Sequence, residues 1–456
     1  MLVPGRQLDL AMTPLEALAR WPRDRQVMML HSGRFHARWS RQSILAEPVG
    51  CYRFTHLADG DGCGQWVGPI ANCPANLSCS DKPFRDLRSL VAATGDGIWL
   101  GYLSYDLGRW VEKLPTAAVD DLQWPIIELA YCPGYLLYDG QQQSWSACGS
   151  WREQLPIEFS QPLTQPTEFR AGSPRSLFSR AEYEAAVAKA MEYIAAGDIF
   201  QVNLAQRFTA DFQGEQPSAC RAMFERLATL SPAWYGAYLE LMGESAGQQA
   251  VAKNGRVIAS TSPELFLEVD ATGHVVTRPI KGTRPASVHP SELLHSEKDT
   301  AELNMIVDLL RNDLGRVCSY GSVQVDEPRT IESHPTVHHG VATIRGKLHP
   351  GKDMIDLLRA AMPGGSITGA PKVRAMQIID ELEPVRRGPY CGSIGWLTAN
   401  QMCLNIAIRT MLLDGAAQRV DFSVGGGIVA DSNPASEYDE TIAKAQAMLQ
   451  ALMQGK

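Results

Sequence analysis

The stretch Arg278-Pro279-Ile280-Lys281-Gly282-Thr283 places one lysine between a proline and a glycine, directly after an alternating run. That run, residues 274–277, has the period-two pattern of a strand with one face on a core. Pro279 has no N–H to donate and interrupts the ladder, and Gly282 allows close approach of the backbone to a ligand. Lys281 at an apolar strand end would be partly desolvated, which lowers its pKa and frees the amine as a nucleophile. The alternative is a surface lysine whose stem packs on the protein while its head stays in water.

Composition predicts a large globular protein of the cytoplasm. The chain has 456 residues, 45% hydrophobic content and a net charge of −8. Its length fits about three domains or a single large α/β body. The acidic balance gives no basic surface for nucleic acid, and no apolar run has the length of a membrane helix or the form of a signal peptide. The ten cysteines are scattered without a Cys-x-x-Cys pair, so we expect reduced thiols and neither a zinc ribbon nor a redox motif.

Turn signals and periodicity divide the chain into three parts. Residues 1–150 mix short apolar runs with turns and predict a scaffold or regulatory region, with strands at 27–30 and from residue 98. Residues 151–178 are rich in proline and have little periodicity, which is typical of a linker. A capping box opens at Ser179, and the catalytic domain is predicted from residue 179 to residue 456.

Two predicted helices each carry a pair of carboxylates beside an apolar face. The first pair is Asp299 and Glu302; the second is Glu437 and Glu440, on a helix predicted to start with Asn433 as N-cap and Pro434 at N1. Such pairs are commonly solvated helix charge. Two of them beside apolar faces favour a hard-cation site, and Mg²⁺ prefers few carboxylates, several waters and a ligand oxygen.

Three further segments predict an anionic ligand. Residues 364–372 are glycine-rich and open a helix with Pro371 at N1, an arrangement suited to anions. Residues 425–427 are three glycines that follow a predicted strand over 420–424. Residues 406–410 are predicted as a buried strand, and Arg409 within it requires either a structural Asp partner or a ligand carboxylate.

An alternating strand is predicted over residues 198–204. It carries the amide side chains of Gln201 and Asn203 on one face. That face could be buried, or it could be the solvent face of an edge strand.

Read together, these stretches resemble the chorismate-utilising enzymes. The likeness spans nearly the whole chain and is dense from about residue 180 onward. The segments that carry it lie at 101–109, 201–208, 278–283, 306–317, 364–380 and 425–431. The resemblance implies an α+β fold of two stacked antiparallel β-sheets flanked by helices, with four layers in the order α/β/β/α and the N-terminal region wrapped into the same body.

The resemblance also implies roles for the candidate residues. Glu302 and Glu440 would hold Mg²⁺ directly, with Asp299 and Glu437 supporting through water, and the metal would bind the ring carboxylate of chorismate. The remaining substrate contacts would come from Thr283, His339, Thr368, Tyr390, Arg409 and the glycines Gly425, Gly426 and Gly427, with Lys444 nearby. Glu264 would be the general acid that protonates the departing C4 hydroxyl, a task suited to a carboxyl with a raised pKa.

Two positions select a branch of the family. In the anthranilate-forming branch the position of Lys281 is typically alanine; lysine implies an amine that attacks C2 of chorismate before ammonia enters at C4. In the isochorismate and salicylate branches the position of Gln201 carries a lysine that activates water, which glutamine cannot do. The expected product is therefore 4-amino-4-deoxychorismate.

Partners and competing functions follow from the same resemblance. No glutaminase motif is found, so a separate glutaminase subunit is expected to supply ammonia. Residues near the N-terminus fall where anthranilate-forming relatives bind tryptophan, and they predict a tryptophan pocket built from Ser32, Trp39, Ser40 and Arg41. The alternatives are an anthranilate-forming large subunit and, from another class, a non-catalytic regulator that binds chorismate or tryptophan.

Overall fold

The structure, a computed structural model, describes residues 1–57, 61–159, 168–243, 255–334 and 337–453. Residues 160–167 of the predicted linker lie outside the described residues. The strands in chain order are β1 (Arg6–Leu8), β2 (Met28–His31), β3 (Gln42–Ala46), β4 (Gly50–His56), β5 (Gly62–Val67), β6 (Ile98–Leu103), β7 (Ile127–Cys132), β8 (Gly134–Asp139), β9 (Ser144–Gly149), β10 (Arg170–Ala171), β11 (Arg175–Ser176), β12 (Gln201–Gln213), β13 (Tyr235–Glu240), β14 (Arg256–Ser262), β15 (Leu265–Val269), β16 (His274–Arg278), β17 (Ile280–Pro285), β18 (Gln324–Ser333), β19 (Val337–Lys347), β20 (Gly369–Ala370), β21 (Ser393–Leu397), β22 (Met402–Asn405), β23 (Thr410–Asp414) and β24 (Arg419–Ile428).

The α-helices begin and end close to the sequence signals. They are α1 (Pro14–Ala19), α2 (Pro83–Ala92), α3 (Arg180–Ala195), α4 (Ser218–Leu230), α5 (Pro290–Leu294), α6 (Glu297–Gly315), α7 (Met354–Ala361), α8 (Lys372–Leu382) and α9 (Pro434–Met453). The predicted capping box at Ser179 is confirmed, because its side chain accepts from the Glu182 amide while the Glu182 side chain accepts from the Ser179 amide. None of the helices in the described ranges is long and apolar enough to cross a membrane.

The strands form two antiparallel sheets. The first has the order β1-β9-β8-β3-β2-β13-β14-β23-β24-β12-β10, with β11 and β20 also pairing with β12. The second has the order β17-β19-β16-β15-β22-β21-β6-β7-β4-β5, with β18 also pairing with β19. In each sheet the strands of residues 1–150 form one end and the later strands form the other. The two groups meet where Gly236 of β13 pairs with His31 of β2 and where Gly395 of β21 pairs with Gly101 of β6.

Three apolar clusters hold four layers together. Between the sheets, Ile44 and Leu412 of the first sheet belong to one cluster with Leu100 and Ile394 of the second. The outer face of the first sheet packs against α4 and α9, and the outer face of the second packs against α6, α7 and α8. Burial of these apolar faces is the main stabilising term for the fold. The predicted α/β/β/α order of two stacked sheets flanked by helices is confirmed.

Three local predictions are wrong in ways that bear on the site. Residues 406–409 are not a strand: they connect β22 in the second sheet to β23 in the first, and Arg409 has a φ of 50°. Gly425, Gly426 and Gly427 do not follow a strand but lie inside β24. Pro371 is the N-cap of α8 and not its first residue. A short apolar run has the same sequence pattern whether it pairs in a sheet or connects two sheets through the core. The pattern of residues 406–409 therefore predicted a strand where the chain forms a connection.

Candidate active site

Lys281 lies where the chain turns from β16 into β17 beneath α6. Gly282 has a φ of 80°, and a Cβ there would stand 2.7 Å from Leu293 Cδ1 and 3.0 Å from Asp299 Cβ. Only glycine satisfies both the left-handed backbone and the close approach of the helix. The Lys281 side chain is thereby held inside the protein, 9% exposed. Burial lowers the pKa of Lys281 despite the opposing charge of Glu302, as the sequence predicts.

The amide of Gln201 and the backbone of Gly427 lie beside the Lys281 amine. A Cβ added to Gly427 would stand 2.9 Å from Lys281 Nζ and 2.4 Å from Gln201 Nε2. Gln201 is fully buried, and its amide has no hydrogen-bond partner among the described residues. The alternative of a solvent face on an edge strand is therefore wrong, because Gln201 and Asn203 are both buried and β12 is paired on both edges, by β24 and by β20.

Glu264 follows β14 and sits against the start of β17. Its side chain is 4% exposed, the Ser366 hydroxyl donates to Oε1 at 2.6 Å, and the Ile280 amide also donates to the carboxylate. Burial raises the pKa of Glu264 to about 7, against the Ser366 hydrogen bond and the charge of Lys281. This carboxyl can therefore hold a proton at neutral pH, which a general acid requires.

A chain of three hydrogen-bonded side chains flanks the lysine. Thr283 and His339 face each other across β17 and β19, with Oγ1 and Nδ1 2.9 Å apart, and Arg409 Nη2 is 3.2 Å from His339 Nε2. Burial and the Arg409 charge hold the pKa of His339 well below its usual range. Because guanidinium only donates, Nε2 accepts from Arg409 and the proton on Nδ1 points to Thr283.

Arg409 is available to a ligand carboxylate. The sequence leaves open a structural Asp partner for Arg409. Within the described ranges no such partner is found, and the guanidinium contacts His339 instead. Burial lowers the pKa of Arg409 to about 10, so the guanidinium still carries its charge at neutral pH. A partly buried cation whose one hydrogen-bond partner among the described side chains is a histidine favours binding of an anionic group.

The four predicted metal carboxylates face this region but are engaged differently. Asp299 is ion-paired with Arg284 at 2.7 Å, Glu437 accepts from Ser432 Oγ at 2.7 Å, and Glu440 is ion-paired with Lys444 at 2.7 Å. Burial raises the pKa of Glu302 and of Glu437, while Lys444 holds the pKa of Glu440 below its usual value against partial burial. Across the part of the chain that the structure describes, no three His, Cys, Asp or Glu side chains form a ready-made metal cluster.

The glycines of β24 leave space for neighbouring side chains and also offer backbone hydrogen-bonding groups. A Cβ at Gly426 would stand 3.3 Å from Glu437 Oε2 and 3.7 Å from Glu440 Oε1. The carbonyl of Gly425 accepts from Lys444 Nζ at 2.8 Å. The two faces of the strand thus lie against the α9 carboxylates and against Lys281.

Thr368 and Tyr390 are the two remaining predicted substrate contacts. The Thr368 hydroxyl donates to the Gly364 carbonyl at 3.0 Å, and its own carbonyl accepts from the Asn203 amide at 2.8 Å. Tyr390 is 4% exposed and lines a narrow cavity beside Ala205 and Arg387. Neither hydroxyl touches Lys281 in the structure.

Sequence reasoning missed two residues that position this site. Ser366 binds Glu264, and the signal was its place in the glycine-rich 364–369 segment. Arg387 donates to the carbonyls of Ile367 and Asn203 and pairs with Glu383. It ties the loop of Ser366 to the strand of Gln201. Its sequence context, Arg386-Arg387-Gly388, resembles an ordinary charged turn and gave no signal of this role.

The residues of the predicted tryptophan pocket surround a second cavity between the sheets. The cavity has a volume of about 100 Å³ and its lining includes Ser32, Trp39 and Arg41. Ser40 is buried beside it and donates to the Trp234 carbonyl at 3.2 Å. Trp39 lies between two guanidinium groups, those of Arg38 and Arg278, each 4.1 Å from its ring.

The cavity wall carries unpartnered polar atoms. Trp234 Nε1, Tyr235 Oη and His31 Nδ1 are buried without a hydrogen-bond partner among the described residues. Such atoms are commonly satisfied by a ligand or by ordered water.

Comparison with known proteins defines the class. The model of the family described as chorismate binding enzyme matches residues 63–450. The chain therefore belongs to the chorismate-binding enzymes, as the resemblance in sequence predicts.

The most similar relatives narrow the class further. Aminodeoxychorismate synthase component 1 of Klebsiella aerogenes is 42% identical over 445 residues, covering 93% of each chain. The protein of the same name from Escherichia coli is 40% identical over 453 residues, again covering 93% of each chain. The solved structure of anthranilate synthase component I from Streptococcus pneumoniae is 28% identical, with a TM-score of 0.71 over 98% of this chain and 99% of that one.

Proposed function

We propose that this chain is the chorismate-aminating component of an aminodeoxychorismate synthase, converting chorismate and ammonia to 4-amino-4-deoxychorismate. The observation that carries the proposal is the position of Lys281: a buried amine with a lowered pKa, beside a carboxyl whose pKa is about 7. The relatives of about 40% identity carry the same name over almost their full length.

The proposed reaction has two substitution steps. In the first, Lys281 Nζ bonds to C2 and the two ring double bonds shift from C1–C2 and C5–C6 to C1–C6 and C4–C5. The C4–O bond breaks as Glu264 gives its proton to the departing hydroxyl, releasing water. In the second, ammonia bonds to C4, the double bonds return to C1–C2 and C5–C6, and the C2–N bond breaks so that Lys281 leaves as the neutral amine. The new ammonium at C4 then returns one proton to Glu264, which restores both residues.

Binding of the substrate is assigned to the surrounding groups. Arg409 would pair with a chorismate carboxylate, held in place by the neutral His339 and through it Thr283. Lys444 and the backbone of Gly425 to Gly427 would contact the remaining oxygens. Thr368 and Tyr390 would complete the far wall.

The carboxylates fit a magnesium ion with few protein ligands. We assign Glu302 and Glu440 as direct ligands, with Asp299 and Glu437 acting through water. Glu302 is half-buried, and burial raises its pKa, so its ionised form would be stabilised by a nearby cation. Bound Mg²⁺ would supply that charge and would hold the ring carboxylate of chorismate. Glu302→Gln and Glu440→Gln should raise the Mg²⁺ concentration for half-maximal activity, whereas Glu192→Gln, on the exposed side of α3, should not.

Ammonia is proposed to come from a separate glutaminase subunit, since the relatives are named as component 1 of their synthases. Free ammonium should replace that subunit. A cytoplasmic location is supported by the ten cysteines, all of which are free thiols.

The test is product identification. Purified protein is incubated with chorismate, Mg²⁺ and concentrated ammonium at alkaline pH, and products are separated with and without an added aminodeoxychorismate lyase. Lyase-dependent 4-aminobenzoate supports the proposal. Anthranilate as the main product would mean that the chain is an anthranilate-forming large subunit, and the absence of any product would favour a non-catalytic regulator. Lys281→Ala should abolish 4-aminobenzoate, while Lys189→Ala on exposed α3 should retain it.

Tryptophan is the proposed occupant of the cavity lined by Ser32, Trp39 and Arg41. Unpartnered polar atoms beside aromatic rings suit a ligand that is both aromatic and hydrogen-bonding. Equilibrium dialysis with labelled tryptophan should show binding that Ser32→Tyr removes by filling the cavity. Absence of binding to the wild-type protein would exclude tryptophan.

A further inference from the structure

Gln201 is an unsatisfied amide inside the active site. It is the first residue of β12, its side chain is fully buried, and neither Oε1 nor Nε2 has a hydrogen-bond partner among the described residues. An amide left in this state lowers stability, so its presence requires a compensating role.

The backbone fixes the direction of this side chain. Gln201 pairs with Ala370 of β20, Val202 pairs with both Gly369 and Ile428, and the Asn203 amide donates to the Thr368 carbonyl at 2.8 Å. Pairing of Gln201 on one edge and of Val202 on both edges fixes the face of β12 from which the Gln201 side chain leaves, and its full burial confines it there. Its amide is therefore held over Gly427, where Lys281 Nζ also lies.

We propose that Gln201 is the positioning residue of the nucleophile: its Oε1 accepts one N–H of the neutral Lys281 amine and directs the nitrogen lone pair at the substrate. A neutral amine has two N–H donors and one lone pair, and only the lone pair attacks carbon. Because neither end of the Gln201 amide has another partner, the amide can present oxygen to Lys281 without losing a hydrogen bond. The inference rests on the proposed covalent role of Lys281.

The choice of amide over carboxylate has a physical reason. A carboxylate at position 201 would stabilise the ammonium form of Lys281 and raise its pKa. An ammonium has no lone pair and cannot attack. Glutamine orients the amine while leaving the lowered pKa of Lys281 intact.

The decisive variants are Gln201→Met and Gln201→Glu, with Gln213→Met as the matched control. Gln213 is the exposed last residue of the same strand. For Gln201→Met we expect kcat to fall about 10- to 100-fold, the scale of a misplaced reacting group. KM for chorismate should change less than about threefold. The melting temperature should stay equal or rise, because the substitution removes the Nε2 group, which has no partner among the described residues.

The pH profile of Gln201→Glu separates a positioning role from a purely structural one, because a structural role would leave the profile unchanged. The low-pH limb of its kcat profile should shift to higher pH, and activity should recover as Lys281 loses its proton. Gln201→Asn keeps the amide but is one methylene shorter, and its kcat should fall as that of Gln201→Met does. This variant replaces Gln201→Met in the test if the methionine variant fails to fold.

The results that overturn the inference are separate from those that overturn the proposed function. A Gln201→Met enzyme with kcat within about twofold of wild type, or a Gln201→Glu profile with an unshifted limb, refutes the positioning role. Activity retained by Lys281→Ala refutes the covalent role of the lysine itself.

Discussion

Substitution of Gly427 by alanine would test the geometry of the site most directly. The added Cβ would stand 2.9 Å from Lys281 Nζ and 2.4 Å from Gln201 Nε2. Ordinary contacts of this type are about 3.5 Å, so the amine must retreat by roughly 0.5 Å and the amide by roughly 1 Å. Both atoms are ends of long side chains, so the fold should survive with a loss of about 1 kcal/mol, the low end for overpacking.

The catalytic effect of this variant should be larger than its effect on stability. A displacement of about 1 Å at a reacting group can reduce turnover about 100-fold, and we expect kcat to fall by 30- to 300-fold, or about 2–3.4 kcal/mol. Steady-state kinetics with ammonium as nitrogen source would measure the rate, and thermal melting would measure stability. The control is Gly315→Ala in α6, where no atom lies within 4 Å of the new Cβ.

Two outcomes would refute this reasoning. If Gly427→Ala turned over chorismate at close to the wild-type rate, Lys281 Nζ would not act from the position that the structure gives it. If Gly315→Ala lost activity to the same degree, the effect of the alanine at 427 would not be local.

Three further predictions concern charge. Ser366→Ala removes a hydrogen bond that lowers the pKa of Glu264, so that pKa should rise above 7. Because the general acid must be protonated, the alkaline limb of the kcat/KM profile should move to higher pH by as much as about one pH unit. An unmoved limb would contradict the role of Glu264. Arg409→Lys should raise KM for chorismate about 10- to 100-fold through loss of a two-point carboxylate contact, and an unchanged KM would place the carboxylate elsewhere. Lys281→Met should abolish activity yet raise the melting temperature at pH 7, because the folded state lowers the pKa of Lys281 and disfavours its charged form. That gain should shrink as pH rises through the lowered pKa, where the wild-type lysine becomes neutral; a gain independent of pH would contradict burial of the ammonium as its cause.

The helices and most strands near the site were predictable because their signals are local. The capping box at Ser179, the Asn433-Pro434 start of α9 and the alternating run before Pro279 all act within a few residues. Residues 406–409 were not predictable in this way. Their apolar composition is as typical of a buried strand as of a connection through the core. They form a connection because β22 and β23, which they join, belong to different sheets.

The individual chemical groups of the site follow from the amino-acid sequence alone: a lysine bounded by proline and glycine, a glutamate after a strand, two carboxylate pairs on helices and an arginine in an apolar run. The sequence also identifies the family, because those groups recur at recognisable spacing along the chain. What only the tertiary structure decided is which groups meet. Ser366 reaches Glu264 across 102 residues of chain, and Gln201, Lys281 and Gly427 converge from strands of both sheets. The physical reason is that such contacts depend on sheet register and on packing between layers, which are properties of the whole fold and leave no periodic signal in any one segment.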